Sequence, residues 1–228
     1  MASVRIGPLA GQVSGSVGDI TFSHNRCGAY VRARTPCKLH GTDPWVQAKN
    51  RFSSQSAAWA TLSDEERLAW RTYSPNHPIT DRLGESRILT GQQLFTGINS
   101  RLDLSGYSTL TLPPATPTPS ALSSLSVSGN LSGNLSELIF TPSPLSATQV
   151  LWMSGCLLSS PAVNYVKDRI LFIDVSPTEA ASPYDWGAQA LDRLGLPVIG
   201  QYLVAWISVF DTTSGLLSAP LTAKVVLT

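Results

Sequence analysis

The chain has 228 residues, 43% of them hydrophobic and only 14% charged, with a formal net charge of +1. That hydrophobic share can bury a real core, which excludes wholesale disorder. Three cysteines are too few for a disulfide scaffold, and the abundance of Ser, Thr, Gly and Pro in place of charge points to loop-rich β-structure.

The charge is unevenly placed. Residues 1–60 carry seven basic groups against two acidic ones, while residues 109–228 carry four basic against seven acidic. Such asymmetry predicts different surroundings for the two ends, and is compatible with head-to-tail contact between copies. The first residues, Met-Ala-Ser-Val-Arg-Ile-Gly-Pro, hold no continuous apolar run with a cleavage site. The longest apolar stretch, Tyr202 to Phe210, is far short of the roughly twenty residues of a membrane span. The expectation is a chain made in a cytoplasm, without a membrane segment or a cofactor.

In chain order, the first thirty-five residues read as β-structure with tight turns at Gly7-Pro8, Gly11, Gly15 and Gly18. Asn25-Arg26-Cys27-Gly28 is a turn candidate, because Asn and Gly tolerate positive φ. Residues 17–34 are therefore predicted as a hairpin, with Arg32 and Arg34 on one face, ended by Pro36. A helical block follows. Asp43-Pro44 is a helix start, and Trp45, Phe52 and Trp59 recur every seven residues. Ser63 with Glu66 and Thr90 with Gln93 are capping-box pairs that open second and third helices, the second running to about Tyr73. Leu94, Phe95, Ile98 and Leu102 form one apolar stripe on the third.

Residues 107–120, rich in Pro and Thr, read as an extended, stiff linker. Beyond it the period changes. Leu122–Val127, Leu135–Phe140, Val150–Ser154, Ile170–Val175, Tyr202–Phe210 and Leu221–Leu227 are strand candidates, with a short helix expected between Asp185 and Arg193. The fold class is α+β and multidomain: an N-terminal β-hairpin plus short helices over 1–106, the linker over 107–120, and an all-β immunoglobulin- or fibronectin-like sandwich over 121–228.

Gly15-Ser16-Val17-Gly18-Asp19-Ile20-Thr21, then Ser23-His24-Asn25-Arg26, then Gly28 to Arg34 resemble the start of a poorly characterised family of phage-associated structural proteins. Gln47, Arg51, Trp59, Leu62-Ser63, Trp70, Tyr73, Leu89 and Gly91 extend the likeness, which covers residues 7–102; Cys27 departs from it where a glycine is expected. The resemblance implies a hairpin and helical block ahead of a fibronectin type III-like sandwich. It also implies a virion or virion-assembly role, with partners among capsid or tail subunits and many copies on a lattice, and no catalytic residues.

Read for chemistry, His24-x-x-Cys27 and Cys37-x-x-His40 carry zinc-ligand residue types in an unusual order, and Cys27 with Cys37 is equally a disulfide candidate. Ordinary thiols and surface imidazoles are the plainer reading, so no metal site is assigned. Asp64, Glu65 and Glu66 fall in a first helical turn, where they serve the cap and the dipole. Gly15-x-x-Gly18 lacks the Gly-Lys-Ser/Thr of a phosphate loop. The chain reads as non-enzymatic. Arg26, Tyr30, Arg32 and Arg34 on the hairpin are the partner-binding candidates, for a protein neighbour or, alternatively, for nucleic acid phosphates. Trp45, Phe52, Trp59 and Trp70 read as core, as does Trp206. Trp186, in a connection, is expected to be exposed and would suit a carbohydrate-binding or host-adhesion role.

Overall fold

The structure, a computed structural model, describes residues 2–3, 14–18, 20–25, 28–33, 43–80, 85–130, 135–160, 163, 166 and 169–227. The chain divides into two compact units, Met1–Gln47 and Ala48–Thr228. The division between them falls within the first helix of the helical block.

In the first unit, β1 (Ala2–Ser3), β2 (Gly15–Val17), β3 (Ile20–Asn25) and β4 (Gly28–Ala33) form one antiparallel sheet in the order β1-β4-β3-β2. The hairpin expected over 17–34 is β3 with β4, closed at the pair Asn25 and Gly28. A second tight turn joins β2 to β3, with Val17 opposite Ile20. Gly18 sits in it at φ +56°, where a side chain would be strained.

α1 (Asp43–Thr61) runs across the division. In the second unit, α2 (Asp64–Tyr73) and α3 (Gly91–Leu104) begin at the two capping boxes read from the sequence. Ser63 accepts from the Glu66 amide while Glu66 accepts from the Ser63 amide, and Thr90 with Gln93 does the same. Arg67 ties the end of α1 to α2 by donating to the carbonyls of Trp59 and Ala60. Between α2 and α3 lie a 3₁₀ turn at Ser74–Asn76 and the small pair β5 (Ile79–Thr80) and β6 (Ser86–Arg87). The two helices approach closely where α3 starts. A Cβ on Gly91 would lie 2.8 Å from the Trp70 backbone.

Two antiparallel sheets follow. β7 (Ser124–Asn130), β8 (Leu135–Thr141) and β11 (Tyr184–Asp185) make a three-stranded sheet in the order β11-β8-β7. β9 (Gln149–Leu158), β10 (Leu171–Val175), β12 (Tyr202–Asp211) and β13 (Leu221–Val226) make a four-stranded one in the order β10-β9-β12-β13. The expected short helix is α4 (Gly187–Leu194). Leu138 and Phe140 from one sheet meet Leu151, Met153, Leu203, Ala205, Ile207 and Val209 from the other in one buried core, with Trp186 wholly inside it. Period-2 alternation places these residues on the inner face.

The outer face of β9 and β12 is covered too. Val150 and Phe210 pack with Trp70, Leu94, Phe95, Ile98 and Leu102, so α2 and α3 lie on the four-stranded sheet. Cys156, Leu158 and Val204 pack with Val163, Val166 and Ile170 at the other end of the same face. Burial on both faces explains why Tyr202 to Phe210 reads as an unbroken apolar run rather than an alternating strand.

The 107–120 segment is tied down where it leaves α3. The wholly buried Asn99 donates to the Leu110 carbonyl at 2.9 Å and accepts from the Leu110 amide at 2.8 Å. Trp70 donates its indole N–H to the Thr111 carbonyl at 2.8 Å. The helices therefore share a core with the four-stranded sheet, and the start of the segment after α3 is held as a strap.

Candidate attachment site

The register of the N-terminal sheet sorts its side chains into two faces, because residues directly opposite each other point to the same side. Tyr30 is opposite Ser23 and Arg32 is opposite Thr21. Thr21 is also opposite Ser16, and their hydroxyls are hydrogen-bonded at 2.9 Å. One face is thus hydroxylic, with the exposed Arg32 and the half-buried Tyr30 on it. These two partner-binding candidates share a face; Arg26 and Arg34 lie outside the described residues.

The opposite face is apolar. Val17 is opposite Ile20, Phe22 opposite Val31, and Ile20 opposite Ala33. Val17 is 75% exposed and Ile20 45%, while Phe22 and Val31 are only half-buried. None of the residues of this unit whose burial is described is buried, whereas the second unit holds complete cores. The basic face drew attention in the sequence, but the same alternation encodes this apolar stripe: Ile20, Phe22, Val31 and Ala33 stand at every second position. Covering one such side chain is worth about 1.5–3 kcal/mol when it passes from full exposure to full burial. A surface that closes over this face therefore gains several such increments, less the part already hidden.

The zinc or disulfide residues Cys27, Cys37 and His40 lie outside the described residues, and of His24 only the backbone in β3 is described, opposite Ala29. Among the described residues no group of three or more His, Cys, Asp or Glu is placed to hold a metal ion. Also among the described residues, no helix is long and apolar enough to cross a membrane.

In the second unit, Cys156 is buried among Leu158 and Val204, and burial pushes its thiol above the ordinary range. Burial likewise raises Tyr73 and Tyr184, the latter further by Asp174 and Asp185. Glu66 is held below the usual carboxylate range, chiefly by the Ser63 amide that it accepts from.

Three aromatic expectations are corrected. Trp186 is wholly buried under the sheets, so it offers no platform to a sugar, and its place in the connection leads inward because α4 closes that end of the core. Phe52 is 64% exposed, since α1 packs through its second half, where Ala58 and Trp59 face α3 residues. Trp206 is half-buried, because it sits mid-strand on the outer face of β12, away from the core between the sheets.

No protein-family model matches the chain, and no curated protein or solved structure matches it.

Proposed function

We propose that the chain is a non-enzymatic structural component of a bacteriophage particle, attached through its N-terminal sheet and displaying the second unit. The observation that carries this reading is the exposed apolar face of the N-terminal sheet, in which none of the residues whose burial is described is buried. A sheet of such short strands is marginal in water unless its apolar face packs on something. A neighbouring subunit that covers Val17, Ile20, Phe22 and Val31 supplies that packing, and Arg32 with Tyr30 on the reverse face serves an acidic neighbour. Capsid decoration and a tail or neck position both fit this mode of attachment.

The displayed unit is read as a fibronectin type III-like sandwich. Its division of seven strands into three and four, with β7 and β8 paired in one sheet and β12 and β13 in the other, supports that assignment. The helical block rides on its four-stranded sheet as a built-in cover.

The test is quantitative mass spectrometry of density-purified particles from the native source after a high-salt wash. A fixed ratio of this chain to the major shell protein is the expected result, and the ratio separates lattice decoration from a rare tail part. Absence from washed particles would refute the proposal.

A further inference from the structure

In the second unit, α1 and α3 flank a cleft of about 320 Å³. The two helices meet where Trp59 packs on Phe95, with ring centroids 5.4 Å apart. Back toward the start of α1, Phe52 and Ser56 form one wall, and Gln92, Thr96, Gly97 and Ser100 of α3 form the other. Phe52 and Ser56 are four residues apart, as are Gln92, Thr96 and Ser100, so each set shares one helix face. Gly97 keeps the space open, since a Cβ there would meet nothing within 4 Å.

The walls carry chemistry that the fold does not use. Thr96 is only 6% exposed, yet its hydroxyl makes no hydrogen bond among the described residues, and neither do the side chains of Ser56 and Gln92. Ser100 Oγ is covered and has no partner either. Polar groups so deeply placed are normally paired. Beside them Phe52 stands 64% exposed, with no ring contact among the described residues. The cleft therefore combines one open aromatic face with a row of hydroxyls and amides, and no charged side chain lines it.

We propose that this cleft binds a neutral saccharide unit, which lays the C–H face of its ring on Phe52 and hydrogen-bonds through its hydroxyls to Ser56, Gln92 and Thr96. Ser100 gains a partner when its hydroxyl turns toward the bound sugar. The face of an aromatic ring carries partial negative charge and attracts the C–H dipoles of a sugar ring. Side-chain hydroxyls and amides both donate and accept, as sugar hydroxyls do. A phosphate or carboxylate would find no cation in the lining. A hydrocarbon would cover the polar side chains without pairing them, which is costly. The volume lies at the low end for small-molecule sites and suits a short saccharide. Every residue of the cleft belongs to the second unit, so the inference does not depend on attachment through the N-terminal sheet.

The test is a titration of the full chain, without particles, with maltotriose, lactose and chitotriose, followed by the amide NMR resonances of the protein. At least one of the three is expected to saturate with a millimolar Kd and to shift Thr96 and Gly97. Phe52→Ala removes the aromatic face, and Gly97→Leu fills the cleft with a better helix former. Both positions are exposed, and circular dichroism checks that both variants fold. Each variant should weaken that binding at least tenfold, whereas Phe52→Trp, which keeps a ring, should retain it. No saturable binding by any of the three saccharides overturns the inference, and so does undiminished binding by Phe52→Ala or by Gly97→Leu. Saturable binding of hexanol at the same resonances, with none of the saccharides, would overturn it in favour of an apolar ligand.

Discussion

Asn99 is the sharpest test of whether the helices, the strap and the sheets form one body. Its side chain makes two hydrogen bonds to the backbone of a single residue, Leu110, from a position with no exposed surface. Replacing it with Ala leaves one N–H and one C=O without that partner, at about 1–3 kcal/mol for each orphaned group. Leu110 is half-buried, so water recovers part of this, and the expected loss is about 2–4 kcal/mol. With an m-value of about 2–3 kcal/mol/M in urea, the unfolding midpoint should fall by about 1 M. Asn99→Asp adds a pH signature. The introduced carboxyl can still accept from the Leu110 amide, but only its protonated form can donate to the Leu110 carbonyl. Its folded pKa is therefore raised above the usual value of about 3.9, the folded state holds the proton longer, and stability falls as pH rises between those two values. Tryptophan fluorescence during urea titration at several pH values reads both effects. A midpoint within experimental scatter of wild type for Asn99→Ala, or no pH dependence for Asn99→Asp beyond that of wild type, would refute the strap and restore a free linker.

Two further predictions concern the same unit. Gly215 closes the turn after β12 at φ +67°, and a Cβ there would lie 2.7 Å from Ile98 and 3.0 Å from Leu102 of α3. Gly215→Ala should therefore cost about 2–4 kcal/mol from backbone strain and overpacking together, read as a lower thermal midpoint, whereas Gly97→Ala, with open space around it, should not destabilise. The buried Cys156 and the half-buried Tyr73 and Tyr184 all have raised folded pKa values, so each keeps its proton longer folded than unfolded. Stability should be full below about pH 8.5 and fall as pH rises beyond it, with Cys156→Ala removing the earliest part of the loss; a flat stability curve into the alkaline range would contradict the burial argument.

Much of the local structure was legible in the sequence because it depends on neighbours along the chain. Ser63 with Glu66 and Thr90 with Gln93 opened helices where capping chemistry says they should, and Leu94, Phe95, Ile98 and Leu102 are all buried as their spacing implied. The hairpin closed at Asn25 and Gly28, and each strand expected in the C-terminal half overlaps an observed one. What the sequence hid is what each face packs against. Tyr202 to Phe210 reads as a strand, but its lack of alternation also means a second cover, which only the positions of Trp70 and Phe95 reveal. Pro113, Pro114 and Pro117 suggested a spacer, and composition has no means of showing that Asn99, eleven residues before Leu110, captures the start of it. At the attachment surface the arginines were conspicuous by charge. The apolar stripe opposite them has the alternation of any half-buried strand, and only the exposure of Val17 and Ile20 marks it as a surface to be covered.

The most direct measurement is binding to particles assembled without this chain, comparing the full chain, a truncation lacking residues 1–47, and Ile20→Asp with Phe22→Asp. The account predicts that the full chain binds to saturation, that the truncation keeps its folded second unit yet does not bind, and that the double variant binds at least tenfold more weakly. Undiminished binding by the truncation would contradict attachment through the N-terminal sheet. Undiminished binding by the double variant would contradict the apolar face as its contact.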